Sequence, residues 1–453
     1  METERRTANL LDIREWRLTP YQILVLGFAG LILFGALLLT TSWASATGER
    51  ISFVDALFTA TSAVCVTGLV VVDTGTYFSL FGQMVIIGLI QTGGLGIMTM
   101  ATIVALLVRK KINLRERLIM QEALNQLTLS GVVRLTIYII KVTLVIEFLG
   151  GTILAIRWFL DYGPRGIYYG YWHAVSAFCN AGFDLLGNFR SLTGYVEDPV
   201  VNVVIMLLII LGGLGFAVLA DIWHCRRWQD LTLHSKIVIS ATVFLIFFGA
   251  MVILLFEFNN PETLGGLSWH GKVLASLFQS VTPRTAGYNT IDIGKLTDQT
   301  LFFIVILMFI GASPGGTGGG IKTSTAFLLA MAIWSMIRGQ TDVEIFQRRI
   351  PTPTVYKAFA IAVISALLVI IVTMMLCITE KAVFIQILFE VTSAFGTVGL
   401  STGITPTLTT PGKLWLIITM FAGRVGPLTL ALAIALKARQ GLVRCPEGRV
   451  SIG

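Results

Sequence analysis

Four short stretches of this chain each end in a glycine and offer main-chain oxygens as ligands for a cation. They are Cys65-Val66-Thr67-Gly68, Cys179-Asn180-Ala181-Gly182, Arg284-Thr285-Ala286-Gly287 and Gly396-Thr397-Val398-Gly399. Their glycines lie 114, 105 and 112 residues apart, and each follows an apolar segment too short to cross a bilayer. Glycine suits such a turn because its backbone adopts φ values that a Cβ atom penalises. We interpret the four stretches as four walls of one ion-selective pore.

The chemistry of these walls is that of carbonyl groups rather than of acidic side chains. Rings of carbonyl oxygens replace the hydration shell of a monovalent cation, and a half-helix whose C-terminus faces the axis adds about half a negative charge. The acid nearest to any of the four glycines is Asp184, two residues after Gly182. Because Ca²⁺ and Mg²⁺ prefer carboxylates or water, this pattern favours K⁺. The expected filter residues are Val66, Thr67, Gly68, Asn180, Ala181, Gly182, Thr285, Ala286, Gly287, Thr397, Val398 and Gly399.

The composition is that of a membrane protein with several spans. Of the 453 residues, 55% are hydrophobic and 13% are charged, and the mean hydropathy is +0.82. Soluble proteins carry roughly a quarter charged residues. Apolar windows longer than the ~18–20 residues that cross a bilayer include 21–41, 81–108, 200–220 and 359–377. The first window is too long for a signal peptide, and a soluble core is excluded.

The same order of segments recurs between basic loops: a long span, a short apolar segment, the glycine, a polar stretch and a second long span. Such self-similarity indicates one structural unit used several times. The sequence predicts an all-α polytopic membrane protein with four parallel helix–re-entrant loop–helix repeats around a central pore, with the pseudo-fourfold symmetry of a K⁺ channel. The expected repeats, with eight spans and four half-helices, are 21–108, 134–223, 235–336 and 355–437.

Residues at matching positions support the repeat. Ten residues before the glycines stand the bulky residues Phe58, Trp172, Leu277 and Phe389. Six residues before them stand Ser62, Ser176, Val281 and Ser393. The second spans carry Gly93-Gly94-Leu95-Gly96, Gly212-Gly213-Leu214-Gly215, the glycine-rich run 315–319 and Gly423-Arg424-Val425-Gly426. One such motif alone indicates close helix packing, whereas four at matching positions indicate a shared pore.

Basic residues predict the orientation. Four lie in 1–20, five in 109–118, three in 224–236, four in 338–357 and four in the tail, while the other loops carry one or none. By the positive-inside rule both termini, including the segments 1–20 and 438–453, are expected to be cytoplasmic, and so are the basic loops 109–133, 224–236 and 338–357. This clustering accounts for the net charge of +8 without a nucleic-acid partner. Five cysteines without metal-ligand spacing are expected to be small buried residues: Cys65, Cys179, Cys225, Cys377 and Cys445.

The third of the second spans is interrupted by a glycine-rich run. It contains Gly311, Ala312, Ser313, Pro314, Gly315, Gly316, Thr317, Gly318, Gly319, Gly320, Ile321, Lys322 and Thr323. Each Gly costs ~1 kcal/mol and a Pro ~3 kcal/mol inside a helix, so the run predicts a flexible constriction beneath the filter. A phosphate-binding loop is excluded because that motif needs Lys directly after its last Gly, and Ile321 intervenes.

Arg424 is the charged residue that stands out in the fourth of the second spans. It takes the position that matches Gly94, Gly213 and Gly316, and a mid-membrane arginine costs at least ~2.5 kcal/mol. One interpretation is a fixed positive charge below the filter that gates K⁺. The other is a structural partner of loop carbonyls or of a buried acid, and both can hold together.

Other polar residues lie in or near the apolar segments, among them Glu147. Glu390 is expected to bond filter amides, and Asp221 and Glu257 either serve the pore or reach water at the ends of spans. His173 and His270 each follow a Trp, which fits an interfacial belt.

The filters and the interrupted span together resemble those of the Trk/Ktr/HKT superfamily of potassium transporters, and most closely the bacterial KtrB type, over nearly the whole chain. Trk-type relatives carry two further N-terminal spans, and plant relatives often have serine at the first filter glycine, where this chain has Gly68. The resemblance implies K⁺ uptake stimulated by Na⁺, a gating loop at 311–323, and a homodimer with one pore per protomer in the lipid of a bacterial plasma membrane. It also implies a cytosolic regulatory ring of the RCK/KTN (KtrA-like) type that binds ATP, ADP or NAD. No such domain is expected in this chain, whose tail ends at Gly453.

Three other functions compete with this interpretation. The first is a Na⁺ or poorly selective monovalent cation uniporter of the same fold. The second is a carrier with a midplane solute site, which predicts inverted repeats. The third is a scaffold, which leaves four filter-like stretches without a purpose. Because no nucleophile–base pair or catalytic dyad is present, we expect no enzyme activity.

Overall fold

The computed structural model describes residues 19–96, 99, 132–225 and 227–434. The expectations for 1–18, for most of the loop 109–133, for the tail 438–453 and for Cys445 lie outside these residues. Within the described part, strands are confined to one antiparallel hairpin of Glu344–Ile345 and Arg348–Arg349. Everything else that is regular there is helical, which confirms the expected all-α class.

The helices form four repeats with the predicted order of elements. The four outer helices begin the repeats and run over Pro20–Leu39, Val132–Tyr162, Leu233–Glu257 and Thr352–Thr379. The four pore helices follow and are Phe53–Val64, Pro164–Phe178, Trp269–Val281 and Phe384–Gly396. The four inner helices come last and are Leu80–Leu95, Pro199–Leu214, Asp298–Phe309 and Thr410–Val425. Within the described residues, only the outer helices are each long and apolar enough to cross a membrane unbroken.

Local sequence defines where the inner helices start. Each is preceded by a residue whose side chain accepts a hydrogen bond from an amide of the first turn; these residues are Ser79, Asp198, Thr297 and Thr409. Such caps satisfy amides that have no partner inside the helix. Carboxylates at the ends of two outer helices, Glu257 and Glu380, accept from the amides and hydroxyls of Thr297 and Thr409. The caps therefore tie inner helices 3 and 4 to the outer helices of their own repeats.

Every inner helix ends where the helical conformation is interrupted. The sequence predicts such an interruption only in the third. Inner helices 1, 2 and 4 stop at Gly96, Gly215 and Gly426, whose φ values are +85°, +93° and +93°. The helices that resume after the breaks in repeats 2, 3 and 4 are Phe216–His224, Thr323–Ile337 and Pro427–Ile434. In repeat 2 the two segments meet at 98°. The expectation of an unbroken second span is therefore wrong in repeats 2 and 4, because the positive φ of Gly215 and Gly426 does not continue an α-helix.

The helix caps also correct the position that was matched to Arg424. Fifteen residues after each cap stand Gly94, Gly213, Ala312 and Arg424. The residue equivalent to Arg424 in repeat 3 is therefore Ala312 rather than Gly316. The glycine-rich run after Ala312 is an insertion relative to the other repeats.

The pore helices form the buried centre, and the outer helices face the membrane. Phe58, Phe178, Phe278 and Phe389 have no exposed surface. The outer helices instead expose large apolar side chains such as Leu37 and Phe244, as expected for contact with lipid. Of the cysteines in the described residues, Cys65 and Cys179 are buried as predicted, Cys225 is half-buried, and Cys377 is exposed.

Candidate functional site

The four wall glycines meet in one ring. A Cβ atom built on each of them would press on the main chain of the next wall: Gly68 on Ala181 and Gly182, Gly182 on Ala286 and Gly287, Gly287 on Val398 and Gly399, and Gly399 on Thr67 and Gly68. The distances from these Cβ positions to the next glycine Cα are 3.3, 2.8, 3.2 and 2.9 Å. The cycle closes on its first member, so the four stretches surround one axis.

The carbonyl before each glycine faces this ring. The atoms that the added Cβ positions would meet include the carbonyl oxygens of Thr67, Ala181, Ala286 and Val398. The backbone is left-handed at every glycine, with φ of +91°, +69°, +83° and +90°. It is also left-handed two residues earlier, at Val66, Asn180, Thr285 and Thr397. The four walls thus share one backbone conformation although their side chains differ.

The amides of the walls point away from the axis, toward the pore helices. In wall 1 the Thr67 amide donates to the Ser62 carbonyl at 2.7 Å and the Gly68 amide donates to the Ser62 hydroxyl at 3.0 Å. In wall 4 the Gly399 amide donates to the Ser393 hydroxyl at 3.1 Å. Because the donors are satisfied from behind, the carbonyl oxygens remain free to coordinate a cation.

Wall 3 reaches its glycine one residue sooner than the other walls. The Ser176 hydroxyl donates to the Phe183 carbonyl at 2.9 Å, and the Thr282 hydroxyl donates to the Tyr288 carbonyl at 2.5 Å. Both acceptors directly follow a wall glycine, so Thr282 is the counterpart of Ser176. The match of Val281 to the serines is therefore wrong. Leu277, matched to Phe58, is likewise replaced by the fully buried Phe278.

A cavity of about 260 Å³ opens on one side of the ring, and we call it the vestibule. Its lining includes the four wall glycines and the acids Asp73, Asp184 and Asp292. A cleft lined by one sign of charge concentrates ions of the opposite sign. Burial raises the pKa of Asp184 to about 7.

The glycine-rich run of repeat 3, residues 311–322, lies against the other side of the ring, and we call it the loop. A Cβ atom on Gly318 would collide with the Thr285 hydroxyl of wall 3. The Gly319 amide donates to the Thr397 hydroxyl of wall 4 at 2.9 Å. The loop therefore lies directly below two of the four walls, on the side opposite the vestibule.

Neighbouring main chain satisfies the polar groups of the loop. The amides of Ser313 and Thr317 donate to the carbonyls of Gly213 and Gly212 at 3.0 and 3.1 Å. The Phe216 amide donates to the Gly315 carbonyl at 3.1 Å. Irregular backbone at this depth requires such partners or water, and the breaks of repeats 2 and 3 supply them to each other.

Arg424 joins the loop to repeat 1. Its guanidinium donates to the Thr317 carbonyl, to the Gly93 carbonyl and, at 3.2 Å, to the Gly94 carbonyl. The Lys322 ammonium donates to the Gly318 carbonyl at 2.8 Å. No salt bridge within the described residues involves Arg424. The geometry thus makes Arg424 a partner of main-chain carbonyls, one in the loop and two in inner helix 1, and not of a buried acid.

Other polar residues differ from their sequence-based expectations. Glu390 accepts a hydrogen bond from the Thr405 hydroxyl rather than from a filter amide. Glu257 is fully buried and does not reach water. Asp221 is partly exposed near the end of its helix, which agrees with one of its two expectations, and it accepts from the amide and hydroxyl of Thr232. His173 is also fully buried, with Nε2 accepting from the Leu185 amide at 3.3 Å, so it does not belong to an interfacial belt.

Two contacts that hold the site together carry no signal in the sequence. The Lys413 ammonium contacts the Asp55 carboxylate at 2.6 Å, which joins inner helix 4 to pore helix 1. These repeats are neighbours in the ring but lie at opposite ends of the chain. The Glu147 carboxylate, in outer helix 2, accepts from the Gln91 amide at 3.2 Å and lies 3.9 Å from the Cys179 sulfur.

Comparison with known proteins finds similarity along nearly the whole chain. The TrkH family model, a cation transport protein, matches residues 19–443. The Ktr system potassium uptake protein B of Bacillus subtilis (strain 168) is 46% identical over 438 residues, which are 96% of this chain and 97% of that protein. The potassium/sodium uptake protein NtpJ of Enterococcus hirae is 41% identical over 444 residues, 96% of this chain and 98% of that protein.

The fold has a counterpart among solved structures. The crystal structure of the potassium transporter TrkH from Vibrio parahaemolyticus superposes with a TM-score of 0.74. The superposition covers 93% of this chain and 86% of that one at 17% identity. The likeness establishes the fold and leaves the choice of ion to the chemistry of the walls.

Proposed function

Because the chain belongs to the TrkH family of cation transport proteins, whose members are transporters and not enzymes, we propose that it is the ion-translocating subunit of a potassium uptake system. K⁺ passes through it in a channel-like manner. The observation that carries this proposal is the closed ring of four glycine turns, with carbonyls toward the axis and amides bonded behind it. Such a ring replaces the water around a monovalent cation. Relatives named for potassium uptake support the choice of K⁺.

A Na⁺ or poorly selective monovalent cation uniporter of the same fold is the second candidate. Two observations favour it. The residue two positions before the glycine is not the same in all walls: it is threonine in walls 3 and 4 (Thr285 and Thr397) but Val66 in wall 1 and Asn180 in wall 2. One relative is named for both potassium and sodium. Competition between K⁺ and Na⁺ for uptake separates the two candidates, since a K⁺ filter takes up K⁺ with little loss when Na⁺ is in excess.

We assign gating to the loop, with Arg424 and Lys322. Contacts of the loop with Thr285 and Thr397, beneath the ring, support this assignment. Arg424, from inner helix 4, holds the loop there through the Thr317 carbonyl, and Lys322 braces it internally through the Gly318 carbonyl. Their positive charges also oppose a cation leaving the filter. Opening then requires the loop to leave the ring or Arg424 to release the Thr317 carbonyl.

The surroundings of the pore follow from charge and from the resemblance. We propose a homodimer in the bacterial inner membrane, with both termini and the basic loops in the cytoplasm and the vestibule outside. A cytosolic ring subunit of the RCK/KTN type, which binds ATP, ADP or NAD, regulates the pore, and Na⁺ stimulates uptake. The word system in the name of the Bacillus relative supports a second component. The hairpin of Glu344–Ile345 and Arg348–Arg349, in which Ile345 is buried and the other three residues are exposed, lies in one of the basic loops.

Complementation tests this function. A strain without its own K⁺ uptake would carry this chain with or without a ring subunit, and would be grown at low K⁺ while Na⁺ is varied. We expect growth that depends on the chain, rises with Na⁺ and responds to the ring subunit. Absence of growth with a membrane-inserted protein in every combination would reject K⁺ uptake. Growth unaffected by Na⁺ would reject the stimulation alone.

A further inference from the structure

Glu390 is a buried acid in pore helix 4 whose charge has no partner. Its side chain has no exposed surface, and no salt bridge within the described part of the chain includes it. One carboxylate oxygen, Oε1, accepts from the Thr405 hydroxyl, whereas Oε2 accepts no hydrogen bond. Buried charges in proteins are paired or coordinate metal ions. The carboxylate therefore lacks the partner that its burial requires.

Glu257 shows that burial alone does not create this deficit. It is also fully buried, but each of its oxygens accepts two hydrogen bonds. Oε1 accepts from the amide and hydroxyl of Thr297 at 3.0 and 2.7 Å. Oε2 accepts from the Thr263 hydroxyl at 2.6 Å and from the Asn260 amide at 2.7 Å. The same fold thus contains a saturated buried acid and an unsaturated one.

The atoms around Glu390 are oxygen ligands. The hydroxyl of Thr402 is buried and has no hydrogen-bond partner. The Ser401 hydroxyl and the Thr402 amide lie within hydrogen-bonding reach of the Glu390 carboxyl, so the unpartnered atom is Oε2. The hydroxyls of Ser401 and Thr405 are 3.0 Å apart. Ser401, Thr402 and Thr405 also line the vestibule. Glu390, which has an unsaturated carboxylate oxygen, and Thr402, which has an unsaturated hydroxyl, are therefore neighbouring residues at the border of a cation-attracting cavity.

We propose that Glu390, Ser401, Thr402 and Thr405 bind a small monovalent cation beside the vestibule, behind wall 4. One carboxylate balances one positive charge, whereas Ca²⁺ sites use several carboxylates. Carboxylate and hydroxyl oxygens are hard ligands, which suit alkali cations and not soft metals. The site is distinct from the ring of wall carbonyls, and it does not require the pore to conduct. A bound cation fixes residues 401–405, which form part of the vestibule wall.

Thermal unfolding of the purified full chain tests the site. Wild type, Glu390→Gln, Thr402→Val and the control Glu257→Gln would be melted in NaCl, KCl or choline chloride at equal ionic strength. A ligand that binds only the folded state raises the melting temperature, and we expect Na⁺ to raise that of wild type by about 2 °C over choline. The Na⁺ shift is expected to disappear in Glu390→Gln, to shrink in Thr402→Val and to persist in Glu257→Gln. A K⁺ shift that persists in Glu390→Gln supports a site apart from the filter.

Several results would overturn the proposal. A full Na⁺ shift in Glu390→Gln would mean that the carboxyl is merely protonated, because glutamine reproduces the neutral acid. Loss of the shift in Glu257→Gln would mean that any buried-acid variant removes it. If Glu390→Gln does not fold, an unchanged shift in Thr402→Val rejects the site. Loss of both the K⁺ shift and the Na⁺ shift in Glu390→Gln would reject a cation site separate from the wall carbonyls. A wild type whose melting temperature does not change with K⁺ would instead count against K⁺ binding by those carbonyls.

Discussion

Replacing Arg424 by alanine tests whether its hydrogen bond to the Thr317 carbonyl keeps the loop in the closed position. The guanidinium reaches from inner helix 4 to the Thr317 carbonyl on one side and to the Gly93 and Gly94 carbonyls on the other. Only the contact with Thr317 bears on the loop, while the other two anchor the arginine itself. Arg424→Ala therefore removes one charge-assisted bond between the loop and the rest of the pore.

The size of the effect follows from that single bond. A hydrogen bond to a charged group contributes about 1.5–3 kcal/mol, and a change of this size shifts a two-state equilibrium roughly 10- to 150-fold. The ratio of closed to open loop should fall by that factor, so K⁺ uptake should rise about tenfold or more until the open pore limits it. Arg424→Lys keeps the charge but not the fork that reaches several carbonyls, and it should fall between wild type and Arg424→Ala.

Uptake of radioactive rubidium into proteoliposomes measures this change. Arg165→Ala is the matched control, because Arg165 is an exposed arginine of pore helix 2 that is remote in sequence from the loop and from Arg424. Its uptake should equal that of wild type. Unchanged uptake in Arg424→Ala, in protein with the melting temperature of wild type, would refute the claim that Arg424 keeps the loop closed. Equal increases in Arg424→Ala and Arg424→Lys would assign the effect to bonding geometry and not to charge.

Further variants test the walls and their closure. Gly68→Ser forces a side chain onto a φ of +91° against the next wall, so the preference for K⁺ over Na⁺ in competition uptake should fall about tenfold; Gly88→Ser, with open space around it, should keep it. Ser62→Ala loses the acceptor of the Gly68 amide, worth ~1 kcal/mol, and an unaltered preference in the same assay would argue against that role. Asp55→Asn and Lys413→Met should couple by about 1 kcal/mol in a double-mutant cycle of thermal unfolding, whereas additive effects would mean that the pair does not close the ring.

The backbone conformation of the walls could be predicted from the sequence because glycine adopts positive φ values readily. Four glycines after short apolar segments predict turns that a Cβ atom forbids, and Gly68 and its three counterparts all have positive φ. The loop was predictable for the same reason, since six glycines and a proline exclude a helix. Both inferences rest on local backbone energetics, which do not depend on the rest of the fold.

What the sequence did not predict depends on comparing lengths or on distant contacts. Gly215 and Gly426 look like packing glycines, and only the folded backbone distinguishes a left-handed break from a close helix contact. Counting back from Gly287 assumes walls of equal length, which misplaced the residues of wall 3 by one. Asp55 and Lys413, which join the adjacent repeats 1 and 4, are 358 residues apart, and one sequence contains no signal for such a pair.

The shortened third wall has a consequence for how such a pore can vary. In a channel assembled from four identical subunits, a residue deleted from the gene is missing from all four quadrants of the pore. Here each quadrant is encoded separately, and one of them has lost a residue before its glycine and gained an insertion after it. The fourfold symmetry is thus confined to the carbonyl oxygens that face the ion, while the lengths of the walls and the segments that follow them differ between repeats.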